Sequence, residues 1–191
     1  HRHALAHEPA LLSSAGRVGA FYDVTIRDPQ GKVLLAGEKG EIWIRGPALM
    51  NGYLNLPEQT ADVMRGEWLC TNDIGRMDSR GYLYLLDRKK FLIISGAVNV
   101  FPASVEAVLA DHPAVFDVAV VGVPHPDWGE AVVALVQLRT GRSETTSDDV
   151  MAFARQRLST PECPKAVLFV SEIPKSATGK TNKLLIKEKL M

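Results

Sequence analysis

Polar and apolar residues alternate in short runs through the first half of the chain and give way to longer patterns in the second. Gly40-Glu41-Ile42-Trp43-Ile44-Arg45-Gly46 alternates between two glycines, as a half-buried strand does. Phe21-Tyr22-Asp23-Val24-Thr25-Ile26-Arg27 is rich in strand formers. Asp28-Pro29-Gln30-Gly31 follows as turn chemistry, with proline presetting φ and glycine supplying a permissive position. Lys32-Val33-Leu34-Leu35 is a further apolar piece, residues 50–57 read as a loop, and residues 57–64 as a short helix. Trp68-Leu69-Cys70 predicts a strand that ends at Thr71-Asn72-Asp73, because asparagine tolerates left-handed φ and suits a tight turn. Gly81-Tyr82-Leu83-Tyr84-Leu85-Leu86 predicts one more strand. These strands are therefore expected to form a small antiparallel sheet or a barrel-like β segment.

Beyond residue 90 the periods change to alternating α and β. Phe101-Pro102 breaks the extended run, and proline suits a first helical turn. Val105, Val108 and Leu109 then share one helical face until His112-Pro113 stops it. Residues 118–123 and 131–138 are near-continuous apolar runs rich in valine, the pattern of buried strands, with a loop at 124–130 between them. Ser147 is placed to cap a helix whose face is Val150, Phe153, Ala154 and Leu158, and Asp148 and Asp149 complement its positive end. Residues 166–170 predict a third strand and residues 181–190 a final helix. The expected fold class is α+β: the β segment, then a compact α+β domain with a three-stranded sheet and packed helices. About 100 residues can bury their own core.

Composition narrows the function classes. The chain has 191 residues, room for one domain or one and a half. Lysine plus arginine and aspartate plus glutamate are each 22, so no global basic field argues for nucleic acid or an anionic membrane. No apolar run approaches the roughly 20 residues of a transmembrane segment, and no secretory h-region is visible near the start. The two cysteines, Cys70 and Cys163, lack metal-like spacing, which argues against a disulfide framework and for a reducing, cytoplasmic compartment. His1, His3 and His7 fit either a metal-binding cluster or a flexible end and receive no role.

Three stretches carry candidate chemistry. Asp87-Arg88-Lys89-Lys90 sits between two apolar runs, either as a polar hairpin turn or as a hinge that also holds a ligand. Asp73 projects a carboxylate near a strand end, either toward a ligand or into an Asx-turn. Thr178-Gly179-Lys180-Thr181 ends like a phosphate-binding P-loop, but the earlier glycine that motif requires is Pro174 here. What remains is a lysine near a helix start, placed to meet an anion or to be solvated.

In order and spacing these stretches resemble the C-terminal portion of the adenylate-forming superfamily, which includes acyl-CoA synthetases, aryl-CoA ligases, adenylation domains of peptide synthetases and firefly luciferase. The matching text is Gly16-Arg17, Gly40 to Gly46, Gly52-Tyr53-Leu54, Trp68-x-x-Thr71-Asn72-Asp73, Gly81-Tyr82, Asp87-Arg88-Lys89-Lys90, Ser95-Gly96-x-x-Asn99-Val100-x-Pro102 and Glu106. It continues with His112-Pro113-x-Val115, Val121-Gly122-Val123-Pro124, Gly129-Glu130 and Thr178-Gly179-Lys180, covering nearly all of residues 16–190.

The resemblance implies a division into the tail of a large AMP-binding domain (residues 1–87), a hinge (88–90) and a mobile C-terminal lid (91–191). It implies an ATP-dependent acid–CoA ligase that makes an acyl-adenylate and pyrophosphate, then passes the acyl group to CoA and releases AMP. In that scheme Lys180 is catalytic, Asp73 and Arg88 bind the nucleotide, Lys90 is the pivot, and Ser95, Gly96 and Ala97 line the CoA tunnel. Mg²⁺ is expected with ATP and without a ligand in this chain. The upstream phosphate loop of the family is not in the text, so the chain is expected to be a fragment, inactive without its N-terminal domain. Asn72 and Ala97 stand where glycine is usual, Phe91 where an acidic residue is frequent, and Pro161-Glu162 where an aromatic–lysine pair is common. Two alternatives remain: an adenylation domain loading a carrier-protein thiol, and a non-catalytic interaction module.

Overall fold

A computed structural model describes residues 8–191; the histidines at 1, 3 and 7 lie outside the described residues. The chain divides into two compact units, His1–Lys90 and Phe91–Met191.

The first unit is a six-stranded antiparallel sheet. Its strands are β1 (Gly16–Arg17), β2 (Asp23–Arg27), β3 (Gly40–Arg45), β4 (Met64–Arg65), β5 (Trp68–Met77) and β6 (Tyr82–Arg88), and a short helix α1 (Pro57–Val63) precedes β4. The order is β1-β6-β5-β3-β2, with β4 paired to β5. The sheet is open, not barrel-like, because β1 and β2 lie at opposite ends of that order and are not paired to each other. Alternation in β3 places Ile42 in the core, while the half-buried Trp43 turns to the opposite face, where the Arg27 guanidinium lies 4.6 and 4.5 Å from the Trp43 and Trp68 rings.

The β5–β6 turn is built by Asp78. Its carboxylate accepts the backbone N–H of Tyr82 at 2.9 Å and of Arg80 at 3.0 Å, and the Tyr84 hydroxyl at 3.3 Å. The Tyr82 N–H is the main cause that holds this carboxyl below the usual aspartate range. Gly75 lets β5 approach its neighbours: a Cβ there would stand 2.7 Å from both the Tyr84 carbonyl oxygen and Ile42 Cδ1. Gly75→Ala is therefore expected to destabilise the first unit by about 2 kcal/mol, the usual scale of overpacking. Urea unfolding followed by tryptophan fluorescence reads this, since Trp43 and Trp68 lie in that unit. An unchanged midpoint would show that β5 can shift to accept a methyl.

The second unit holds β7 (Ile93–Ser95), β8 (Val98–Val100), α2 (Pro102–Ala110), β9 (Val115–His125), β10 (Gly129–Leu138), α3 (Ser147–Arg155), β11 (Ala166–Phe169) and α4 (Lys183–Leu190). Its sheet has five strands where three were expected. The three long apolar runs are β9, β10 and β11, and the short hairpin β7–β8 joins β10 through Ser95 opposite Gly129. β9 and β10 pair antiparallel and β10 and β11 parallel. The continuous valine text follows from burial on both faces. Val132, Ala134 and Val136 belong to a core with Val105, Leu109 and Val150, while Val133 and Leu135 belong to a core with Ile173 and Ile186.

Two helix starts differ from expectation. Thr146, not Ser147, caps α3: its hydroxyl accepts the Asp149 N–H, and the Asp149 carboxylate accepts the Thr146 N–H in return. The last helix begins at Lys183, capped by Asn182 through the Leu185 N–H at 3.1 Å. Among the described residues no helix is long and apolar enough to cross a membrane.

Candidate functional site

Asp73 is delivered by a bulge, not by the end of a strand. β5 runs unbroken through Thr71-Asn72-Asp73, but its register with β3 shifts there, so that Cys70 faces Trp43 and Ile74 faces Glu41. Ile42 thus stands opposite the whole Thr71-Asn72-Asp73 stretch. Asn72 takes φ +59°, the left-handed conformation its residue type tolerates. The Thr71 hydroxyl replaces the lost ladder bond by donating to the Ile42 carbonyl at 2.9 Å, and it accepts the Asp73 N–H at 3.1 Å. Bulges re-aim side chains, and this one sets Asp73 opposite Arg88 of β6. The Asp73 carboxylate meets Arg88 Nε at 2.7 Å, with the guanidinium more than half exposed. The aspartate is thus neither in an Asx-turn with its neighbours nor isolated: it orients a guanidinium fork.

Lys89 and Lys90 follow in a single 3-10 turn, Lys89–Phe91. The Lys89 ammonium donates to Glu41 at 3.1 Å, and Glu41 is 8% exposed, a buried acid on β3. This anchor for the charged run went unread in the sequence, where Glu41 was only one polar position of an alternating strand. Lys90 is exposed at the boundary between the units.

In the second unit, Ser95, Gly96 and Ala97 form one structure. Gly96 and Ala97 are the two central residues of the β7–β8 turn, with φ of +57° and +64°. Positive φ at both positions is the I′ hairpin geometry, which suits the right-handed twist of the strands. Glycine adopts it freely, whereas Ala97 carries a Cβ penalty of roughly 1–2 kcal/mol. Ser95 is buried, Gly96 and Ala97 are exposed, and the Gly96 N–H donates to the Trp128 carbonyl at 2.9 Å.

Lys180 lies on a separate loop of the same unit. Residues 175–181 close on themselves: Lys175 bridges Thr181, the Ser176 N–H donates to the Lys180 carbonyl at 2.7 Å, and the Gly179 N–H donates to the Ser176 carbonyl at 2.9 Å. Gly179 supplies the left-handed step at φ +77°. The Asn182 N–H donates to the Pro174 carbonyl at 2.8 Å and closes the loop base, while Lys175 pairs with Asp117 of β9 at 3.0 Å. The backbone is thus fixed and the Lys180 side chain exposed, a mobile positive charge on a rigid mount.

Two motif acids quoted without a role also acquire partners. Glu106 of α2 accepts the Val120 N–H at 2.7 Å and the Lys183 ammonium at 2.8 Å. Glu130 of β10 accepts the Ile94 N–H at 3.0 Å and the Lys187 ammonium at 2.7 Å. Gly122 makes room for the second: a Cβ there would stand 2.9 Å from the Glu130 carboxyl carbon. Nearby, a cleft of about 770 Å³ is lined by His125, Trp128, Met151, Leu158, Cys163 and Lys165. The His125 and Trp128 rings stack at 4.2 Å, and the Lys165 ammonium lies 4.9 Å from the Trp128 ring. Burial pushes the other thiol, Cys70, up and away from reactivity.

Similar sequences and a similar fold recur in known proteins. The family model for the AMP-binding enzyme matches residues 3–54, and that for the AMP-binding enzyme C-terminal domain matches residues 104–180. A medium/long-chain-fatty-acid–CoA ligase of Mycobacterium tuberculosis is 41% identical over 187 residues, covering 95% of this chain and 33% of the relative. Among solved structures, the amide bond synthetase McbA from Marinactinospora thermotolerans superposes with a TM-score of 0.87 at 41% identity, over 95% of this chain and 37% of that one. ATP-bound MatB from Rhodopseudomonas palustris gives a TM-score of 0.87 at 34% identity, over 93% and 35%. The chain spans about a third of the length of the curated relatives it matches. With an open sheet bearing the Asp73–Arg88 pair, and an α+β unit bearing the Gly-Lys loop and matched by the C-terminal model, the chain belongs to the adenylate-forming AMP-binding enzyme superfamily.

Proposed function

We propose that this chain works as the C-terminal part of an ATP-dependent acid–CoA ligase, whose remaining domain supplies the acid pocket. A carboxylate oxygen attacks the α-phosphorus of ATP and pyrophosphate leaves, giving an acyl-adenylate. The CoA thiol then attacks the acyl carbon, loses its proton, and AMP leaves with the bonding electron pair. The observation that carries this reading is the Asp73–Arg88 pair at 2.7 Å, for which a strand has been bulged out of register. An ionised carboxylate offers two acceptors for the vicinal hydroxyls of a ribose, and the adjoining guanidinium offers donors to ribose or phosphate oxygens.

Lys180 stabilises the charge that builds on the α-phosphate as the carboxylate attacks, an electrostatic task that suits a point charge. Lys90 is the pivot, lying at the boundary of the two units. The second unit is then a lid that presents Lys180 for adenylation and the Ser95-Gly96-Ala97 turn for thiol transfer, with small residues leaving passage for the thiol arm. Closure also keeps water from the adenylate. Mg²⁺ enters with the phosphates of ATP. We assign it no ligand in this chain. We place the enzyme in the cytoplasm, where the free thiols of Cys70 and Cys163 persist.

A second reading has an amine as the acyl acceptor, favoured by the 41% identity to an amide bond synthetase. AMP release by the whole enzyme, measured over a panel of carboxylic acids, tests both. Release that needs acid, ATP and CoA together supports the ligase, release with an amine in place of CoA supports the second reading, and no acid-dependent release sinks both. The 191-residue chain alone is expected to show no ATP–pyrophosphate exchange.

A further inference from the structure

The last helix breaks a local rule. A helix N-terminus carries partial positive charge and favours acids, yet α4 opens on Lys183 and has no acidic residue in its first turn. The Lys183 side chain is only 11% exposed, so its charge needs a partner, which Glu106 provides. One turn later Lys187 meets Glu130. The two lysines are four residues apart and share a helix face. Each acid also accepts a backbone N–H from a strand: Val120 of β9 for Glu106, and Ile94 of β7 for Glu130. The helix is thus bolted at two points, to α2 through Glu106 and to the sheet through Glu130.

What this fixes is the loop just before it. Asn182 caps α4 with its side chain and closes the 174–182 loop with its own N–H. A shift of α4 along or about its axis therefore moves Lys180. Glu130 has a further connection, because Ile94 adjoins the Ser95-Gly96-Ala97 turn. One carboxylate ties the helix behind Lys180 to the strand that leads into that turn.

We infer that Glu106 and Glu130 are positioning residues: Glu106 holds the Lys180 loop through α4, and Glu130 holds both that loop and the Ser95–Ala97 turn. The inference rests on the role proposed above for Lys180 and makes an unequal demand on the two half-reactions. In the whole enzyme, Glu106→Gln keeps an acceptor for the Val120 N–H but loses the charge facing Lys183. It is expected to lower kcat for adenylation by about 10- to 30-fold, with the KM for ATP and the thiolysis of a supplied acyl-adenylate each within about threefold. Glu130→Gln is expected to slow both half-reactions by about tenfold. Glu106→Gln combined with Lys183→Met should be no slower than the slower single variant, since the two act through one contact.

Amide exchange on the 191-residue chain provides a readout independent of activity. Glu106→Gln should speed exchange at Asn182 and Ile186 by roughly tenfold while the β9–β10 amides keep their protection. Equal loss of both half-reactions in Glu106→Gln, or additive effects in the double variant, overturns the inference. If Lys180→Ala leaves adenylation unchanged, the proposed function fails but the exchange measurement still decides the clamp, and unaltered exchange at Asn182 and Ile186 refutes it.

Discussion

Lys180→Ala in the whole enzyme is expected to lower acyl-adenylate formation by about 100- to 1,000-fold, the scale seen when one preorganised charge-stabilising group is removed from a reacting centre. Thiolysis of a supplied acyl-adenylate should stay within about threefold of the original rate. The structure makes the variant clean. The loop is held through the Lys180 carbonyl, the Asn182 N–H and the Gly179 turn, none of which the substitution touches. Since the exposed side chain packs no core, stability should change by less than about 0.5 kcal/mol. ATP–pyrophosphate exchange reads the first step and single-turnover AMP release the second. Parallel loss of both would mean that Lys180 serves binding in general rather than the attack on phosphorus.

Asp73→Ala should show the opposite kinetic signature. A carboxylate that holds a ribose makes the same bonds before and during the chemistry, so its loss raises KM more than it lowers kcat. Two charge-assisted hydrogen bonds at about 1.5 kcal/mol each correspond to roughly a 100-fold rise in the KM for ATP. Both half-reactions should suffer, because the adenylate carries the same ribose. Arg88 loses its partner in this variant, yet its guanidinium is more than half exposed, so the stability cost is held to about 1 kcal/mol or less by solvent. Asp73→Asn keeps one acceptor and should fall between. An unchanged KM for ATP in Asp73→Ala would remove the nucleotide from this site and leave the bulge as a purely structural brace for Arg88.

The parts of the fold that were legible in the sequence rest on local chemistry. Proline opened the helices at Pro57 and Pro102, and continuous valine marked β9 and β10 because both faces of those strands are covered. The parts that were not legible rest on distant partners. Trp68 to Asp73 carries turn chemistry in its last three residues, and the strand continues only because the Thr71 hydroxyl finds the Ile42 carbonyl on a neighbouring strand. The β7–β8 hairpin escaped because its strands have three residues each and its turn sets an alanine at positive φ, a place normally held by asparagine or glycine. The α3 cap is different, since Thr146 with Asp149 three residues on is a readable capping box that Ser147 obscured.

The site shows the same division. The resemblance named Asp73, Arg88 and Lys180, and the structure adds how the first two meet and what carries the third. Glu41, Glu106 and Glu130 could not be assigned from sequence. Their ammonium partners, Lys89, Lys183 and Lys187, are remote in the chain, and a lone glutamate in an amphipathic element reads as solvated surface.

The backbone closure of the 175–181 loop has an evolutionary consequence. Hydrogen bonds between main-chain groups do not depend on side-chain identity, so Ala177 between the closing contacts can drift among small and polar residues without displacing Lys180. Gly179 and Asn182 lack that freedom, because one supplies a left-handed step and the other a helix cap. Substitution among descendants of this chain should therefore concentrate at the loop tip and spare its two ends, leaving a lineage free to retune the surroundings of Lys180 while keeping its charge in place.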